Sequence, residues 1–498
     1  MISKAQYERY ASVGFNYIPL SVELLSDLDT PLSTYLKLCR EPYGFLFESL
    51  QGGETWGRYS IIGLPCSTRL EVSGNELRYY SLGQHQRTTQ SDNPLDAVRA
   101  YQQQFKVPQV DGLPRFNGGL VGYFGYNTVH FAAAKQRQTN KPKPLGLPDI
   151  ILMVAEELVI FDNLTGRATL VVHAKPGESP DAYELARSRL NELIERLRQP
   201  LIASTGWSAE KPSAPTATFD SFSEAGFKSA VGRCLDYIKA GDAFQIVLSQ
   251  RMKASFCAPP LELYRALRTI NPSPYMVFMD LADFQLASSS PEILVRTIDN
   301  EITLRPLAGT RRRGKSPAED EALARELLAD PKELAEHLML IDLGRNDVGR
   351  VSQYGSVRVT EKMAIERYSH VMHIVSNVTG LLDKKFDNLD VLAATFPAGT
   401  LSGAPKIRAL EIIEELEPDQ REIYSGAIGY LGWHGTIDTA IAIRTAVIKS
   451  GHIYVQAGAG IVADSDPELE WQETLNKARA VLAAAALAEK GLSGPLAA

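Results

Sequence analysis

Gly119-Leu120-Val121-Gly122-Tyr123-Phe124-Gly125-Tyr126 is echoed far down the chain by Gly426-Ala427-Ile428-Gly429-Tyr430-Leu431-Gly432-Trp433. In both stretches glycine recurs at every third position among β-branched and aromatic residues. That mixture reads as a strand in which missing side chains let neighbouring strands approach closely. Two readings stay open. Glycine-punctuated strands resemble one another by chance, or the echo marks one strand in two copies of a unit. The second reading predicts a duplicated α+β fold.

Around the first copy, 45–49 and 58–63 read as strands, 68–72 and 76–80 as a hairpin, and 94–105 as a helix. Strands at 150–162 and 168–173 precede a helix with the apolar stripe Ala186, Leu190, Leu193, Ile194 and Leu197. Residues 199–219 lack periodicity and are rich in Ser, Thr, Pro and Ala, which reads as a linker between a region 1–198 and a region 220–490, with 491–498 a tail. The second region opens with a helix striped by Phe227, Val231, Cys234, Leu235 and Ile238 and closed by Gly241. Its strand at 243–252 places Gln245, Val247 and Ser249 on one face. Further strands are expected near 275–280, 284–288, 292–297, 302–305 and 355–368, then a helix at 369–379 and a helical region at 388–417. Strands at 425–433, 437–449 and 452–461 and a helix from 467 to about 490 close the chain.

The 498 residues are 44% apolar and 22% charged, the balance of a water-soluble globular protein. A net charge of −7 and the lack of any long basic run argue against nucleic acid as a partner. Cys39, Cys66, Cys234 and Cys257 are scattered, which fits buried thiols of a reducing compartment. No stretch has the apolar length of a membrane span and the N-terminus lacks a signal-peptide core, so a cytoplasmic protein is expected.

Two acidic helices stand out. Asp330-Pro331 is a strong helix start, with Glu333 at the third position as in a capping box. Glu333, Glu336, His337 and Leu340 then share a face. Taken alone, this is a capped, solvated acidic turn. The last helix presents Glu470, Glu473 and Lys477 on one face, and Glu473 with Lys477 is an ordinary i,i+4 pair. If the two helices met, their carboxylates would suit a hard divalent cation. Between them, Gly458-Ala459-Gly460 offers bare amides to an anion. Arg444 stands within an apolar run and needs an anionic partner, internal or bound. The loop 397–406, with Thr400, is built of small residues that let backbone approach a substrate. Near 368–373, spacing alone cannot choose between His370 and His373.

These stretches, LRPLAGTRRRG (304–314), KELAEHLMLIDLGRND (332–347), YSHVMHIVS (368–376), GTLSGAPK (399–406), IYSGAIGY (423–430), QAGAGIV (456–462) and ETLNKAR (473–479), resemble the chorismate-utilising enzymes. Within them the resemblance is to the anthranilate synthase large-subunit (component I) family, and it covers nearly the whole chain. The implied fold is α+β, with large antiparallel sheets packed face to face, helices outside and two interwoven halves. The family resemblance further implies a Mg²⁺ ion on Glu336 and Glu473, supported by Glu333 and Glu470. It places chorismate against Gly309, Thr310, Tyr424, Arg444, Gly458, Ala459, Gly460, Lys477 and Gln245. It makes Glu292 the general acid and His373 the catalytic histidine, with Thr400 among the catalytic residues. Ser49, Arg58, Pro274, Tyr275 and Met276 match elements that bind L-tryptophan as feedback inhibitor.

Gln245 stands where water-adding relatives have a lysine base, and an amide cannot deprotonate water. Ala308 stands where many aminodeoxychorismate synthases carry a nucleophilic lysine, so ammonia would add directly. The implied reaction is chorismate plus ammonia to anthranilate and pyruvate, the first committed step of tryptophan biosynthesis. An aminodeoxychorismate synthase and a catalytically inactive chorismate-binding regulator are the alternatives. No G-x-C-x-G glutaminase elbow is present, so ammonia is expected from a separate glutamine amidotransferase subunit, in a tetramer of two large and two small chains.

Overall fold

The computed structural model describes residues 1–50, 57–132, 140–201, 217–368 and 371–492. Most of the linker stretch, 202–216, and the tail from 493 lie outside them, as does His370. The described strands form two antiparallel sheets of twelve strands each. Both halves of the chain contribute to both sheets, so neither half closes a core of its own.

The echoed glycine strands lie side by side. Gly119–Phe124 pairs antiparallel with Ala427–Gly432, Gly122 opposite Gly429 and Gly119 opposite Gly432. Outward from this seam the first half supplies Ile150–Ala155, Arg69–Ser73, Glu76–Ser81 and Gln84–Gln90. The second half supplies Ile437–Ile441, Ile293–Ile298, Glu301–Leu304 and Val371–Leu381. The other sheet has its own seam, where Phe45–Glu48 pairs with Tyr275–Asp280. From there the first half runs Tyr59–Gly63, Glu157–Asp162, Arg167–Ala174 and Ile18–Leu25. The second runs Gln285–Ser290, Thr445–Lys449, His452–Ile461 and Gln245–Ser255, the same succession in chain order. Helices match too, since Pro31–Leu38 and Pro260–Ile270 each follow the outermost of these strands and precede the seam strand. The chain is one α+β unit built twice.

The copies differ at one place that matters. In the first half Glu76–Ser81 leads directly into Gln84–Gln90. In the second, Leu307–Arg312, two helices and Arg358–Arg367 are inserted between Glu301–Leu304 and Val371–Leu381. The acidic helix Pro331–Gly349 belongs to this insertion.

Alternation sets the layers. Val121 and Tyr123 face the core between the sheets, with Val277, Met279 and Ile151. Leu120 and Phe124 face the outer core, under Asn388–Thr395 and Lys406–Leu416. The glycines permit the close pairing here: a Cβ on Gly119 would lie 2.2 Å from the Leu431 carbonyl oxygen across the seam, while one on Gly122 would lie 1.8 Å from that of Ile151 and one on Gly429 2.1 Å from that of Asp438 on the flanking strands. Gly122→Ala is therefore expected to destabilise the fold by about 3 kcal/mol, read as a lowered urea midpoint with an unchanged slope.

Two expectations are corrected. The stretch 369–379 is no helix; Val371–Leu381 is a strand flanked by Leu307–Arg312 and Glu301–Leu304 on one side and Arg358–Arg367 on the other. Its Val371, Ile374, Val375 and Val378 suit a pleated sheet, and tertiary pairing overrides any helical spacing. The run 437–449 is two strands in different sheets, Ile437–Ile441 and Thr445–Lys449. The corner between them is where Arg444 takes φ 51°. Arg444 thus sits at a crossing between sheets and not within an alternating strand. Leu307–Arg312 is an edge strand turned at Gly309, whose φ is 67°.

Candidate active site

The site forms where the inserted segment meets the strands Gln245–Ser255 and His452–Ile461 and the last helix, Pro467–Lys490. Gly458 pairs with Ser249 and Gly460 with Val247. Both glycines leave room on the inner face: a Cβ at 458 would lie 2.8 Å from the Tyr424 hydroxyl, one at 460 2.7 Å from Gln245 Nε2. Ala459 is different. Its side chain is fully buried in the core beneath Glu224–Lys239, so only its backbone can serve the site. Tyr424 lies near the Arg421 guanidinium, whose Nη2 and Nε donate to the Glu417 carboxylate at 2.7 Å and 2.9 Å. Glu417 also accepts from the Ser249 amide and hydroxyl, both at 2.8 Å, tying this corner to the Gln245 strand.

Glu292 begins the next wall. It is buried, and its Oε1 accepts from the Thr400 hydroxyl at 3.0 Å. Burial pushes its carboxyl up to about 8, against the opposing pull of Thr400 and the Lys477 ammonium. At neutral pH it holds its proton. Thr400 lies in the short helix Gly399–Ser402, wedged against Leu343 of the acidic helix.

His373 is held by the edge strand. Its Nδ1 lies 3.0 Å from the Gly309 carbonyl and 3.1 Å from the Thr310 hydroxyl. The carbonyl can only accept, so Nδ1 carries the hydrogen and Nε2 is left as the acceptor. Burial first, and the Arg444 charge in addition, bring its pKa down to about 4, so the ring is neutral. Arg444 itself is lowered by burial, and no carboxylate among the described residues offsets it. It is a cation in need of an anion.

The two acidic helices come near enough for their charges to act on one another, Glu473 and Lys477 on Glu336 and Lys332 on Glu470. Asp330 caps Pro331–Gly349 by accepting from the Lys332 amide at 3.0 Å and the Glu333 amide at 3.4 Å. The return arm of a capping box is not made, because the Glu333 carboxylate accepts from Arg311 at 3.1 Å. Glu336 is half-buried and accepts from Gln245 Nε2 at 3.1 Å. Its pKa is raised by burial and further by the carboxylates of Glu333 and Glu473, while Gln245 and Lys477 oppose the rise. Glu470 is raised likewise, by burial and by Glu473. Lys477 binds Glu473 at 2.6 Å and donates to the Gly458 carbonyl at 3.0 Å. The ordinary i,i+4 pair is thus real, and its exposure limits it to a few tenths of a kcal/mol. Among the described residues no three His, Cys, Asp or Glu side chains are grouped to hold a metal by themselves. His337 is a core histidine, bonded to the Ser376 hydroxyl at 2.7 Å.

Ser49, Pro274, Tyr275 and Met276 are gathered at the other seam, where Met276 pairs with Glu48. Tyr275 is engaged internally, donating to Asp438 at 2.8 Å and accepting from Arg296 at 3.1 Å. Met276 is buried in the outer core. Arg58 binds Asp162 at 2.8 Å.

Four further residues support the site, Arg311, Asp347, Lys406 and Arg421. Arg311 joins Glu326, Asp330 and Glu333. Asp347 and Lys406, both mostly buried, pair at 2.7 Å across the acidic helix and the 397–406 loop. Arg421 braces Tyr424. Only Lys406, closing a small-residue loop, left a local signal.

A family model described as chorismate binding enzyme matches residues 52–483. Anthranilate synthase component 1 of Neisseria meningitidis serogroup B is 56% identical over 497 residues, covering 99% of this chain and all of that one. Among solved structures, anthranilate synthase component I from Streptococcus pneumoniae superposes with TM-score 0.76 at 36% identity, covering 92% of this chain and 98% of that one. The menaquinone-specific isochorismate synthase of Escherichia coli superposes with TM-score 0.71 at 20% identity, covering 97% and 98%, which is a likeness of fold. No described helix is long and apolar enough to cross a membrane.

Proposed function

The chain belongs to the chorismate-binding enzyme family, in its anthranilate synthase component 1 branch, and on that premise we propose that it converts chorismate and ammonia to anthranilate and pyruvate. The observation that carries the choice of nucleophile is Gln245. Its amide is committed to Glu336 and has no basic atom, so nothing at that position activates water. Ala308, on the edge strand, offers no amine for a covalent adduct.

In the first step ammonia bonds to C2, both ring double bonds shift by one position toward C4, and the C4–O bond breaks. Glu292 gives its proton to the departing hydroxyl as general acid, which its protonated state at neutral pH permits. Arg444, Lys477 and the amides around Gly458 and Gly460 bind the substrate carboxylates. In the second step His373 Nε2 takes the C2 proton and returns it to the enolpyruvyl methylene as pyruvate leaves and the ring aromatises. Gly309 keeps the imidazole in the tautomer this needs.

Magnesium fits this donor set. Mg²⁺ is commonly bound by one or two carboxylates with waters and substrate completing its shell, so Glu336 and Glu473 would hold it, with Glu333 and Glu470 supporting directly or through water. Burial raises both Glu336 and Glu470, and the Glu473 carboxylate raises each further, which marks negative charge that a cation would offset. The ion, when bound, would neutralise and orient the ring carboxylate.

Ammonia comes, in this reading, from a separate glutamine amidotransferase. With chorismate, Mg²⁺ and ammonium at alkaline pH, the purified chain should produce anthranilate fluorescence, and no product would refute the assignment. Glutamine should support turnover only after the partner subunit is added. Feedback by L-tryptophan is supported by the seam at Ser49 and Tyr275, where a ligand would touch both halves. Calorimetry should register tryptophan binding; a flat titration removes this element.

A further inference from the structure

Glu292 and Thr400 line a small hollow, with a cavity volume of about 40 Å³, that His373, Arg444, Lys477 and the glycines 458 and 460 do not line. Its inner end is buried at Glu292 and Thr395, and its rim is partly exposed at Arg305, Leu343 and Gly344. The walls are mostly apolar. The polar exceptions are Glu292, Arg305, Thr395, Thr400 and Asp347, the last held by Lys406 at 2.7 Å.

We propose that this hollow is the passage through which the water formed from the C4 hydroxyl leaves and through which Glu292 regains its proton. The proposal rests on Glu292 being the general acid. In that step the Glu292 O–H bond breaks and leaves a carboxylate. The C4–O bond breaks with its electron pair on oxygen, and the oxygen departs as water against Glu292. The nitrogen that joins C2 must lose a proton to solvent, so a proton returned to Glu292 from solvent closes the balance. Meanwhile the substrate, bound through Arg444 and Lys477, fills the cleft on the other side. Water released at Glu292 therefore has the hollow as its open neighbour. Buried water needs two to four polar partners. Glu292, the Thr400 hydroxyl and the Asp347–Lys406 pair place such groups along it.

Gly344 gives the test. A Cβ there would meet only Val378 Cγ2, at 3.7 Å, an ordinary contact, so the helix accepts a side chain. Gly344→Leu fills the rim, and Gly344→Ala is the small control. With ammonium as donor, Gly344→Leu should lower kcat by about tenfold while KM for chorismate and for ammonium stays within about twofold. The D₂O solvent isotope effect on kcat should rise as proton return becomes limiting. The double variant Asp347→Asn with Lys406→Met, which keeps the volume but removes the charges, should raise the isotope effect as well. It provides a second route if Gly344→Leu does not fold. Unchanged kcat and isotope effect in a folded Gly344→Leu protein overturn the proposal. So does a raised KM for ammonium, which would assign the hollow to the amine. Turnover retained by Glu292→Gln would instead refute the general-acid reading, whatever Gly344→Leu does.

Discussion

Glu336→Gln is expected to lower anthranilate formation by about a thousandfold and to leave the fold intact. The carboxylate is half-buried between the two acidic helices, and its charge is the part of the side chain that a hard cation needs. The amide has the same shape and keeps a partner in Gln245, so packing is preserved. Stability should hold or rise. The folded-state pKa of Glu336 is raised, so its ionised form is disfavoured by folding, and the neutral amide removes that cost at neutral pH. Equilibrium dialysis should show weakened Mg²⁺ binding in the same variant, and thermal melting should match the parent protein. Normal turnover in Glu336→Gln would remove the metal site as drawn. Glu473→Gln tests the partner helix, but its exposed pair with Lys477 would also be lost, so Glu336 gives the cleaner comparison.

Local pattern carried the elements and global pattern carried the duplication. The strands at 45–48, 59–63 and 275–280 were legible because short apolar and aromatic runs lay between turn residues. The echo at 119 and 426 pointed to a repeated unit, and the pairing of those two strands with each other is what makes the halves inseparable. What failed was failure of scope. Val371–Leu381 shows no clear alternation because partners on both sides and cores on both faces bury 372–376 and 378–380 without a break in period. The corner at Arg444 was unreadable because 437–449 is apolar on either side of it, and only the sheet change shows that the chain turns. In the candidate site, the acidic residues and glycines were visible as types. The tautomer of His373, the burial of Glu292 and the Asp347–Lys406 pair depend on contacts between residues far apart in the chain.

Glu292→Gln should cost about a thousandfold in kcat with little change in KM for chorismate, because the amide keeps the size and the Thr400 contact but has no proton to give. The pH dependence separates this from a packing defect. Glu292 titrates near 8 in the folded chain, against an ordinary value of 4.5. Activity measured at constant free ammonia should therefore fall as pH rises through about 8 in the parent protein, and this limb should be absent from the residual rate of the variant. Stability carries the same signature. Between 4.5 and about 8 the folded chain keeps a proton that the unfolded chain has released, so folding loses stability as pH rises across that window and no more above it. Glu292→Gln abolishes this contribution, so its melting temperature should fall less between pH 5 and pH 9 than that of the parent, by the share owed to one carboxyl. The groups around Glu292 that bear on the value are Lys477, which lowers it, and the Thr400 hydroxyl, which does the same by donating to the carboxylate. Lys477→Met should accordingly move the alkaline limb upward. A parent protein whose activity is flat from pH 7 to 9 at fixed ammonia would show that no proton from Glu292 is spent on the leaving hydroxyl.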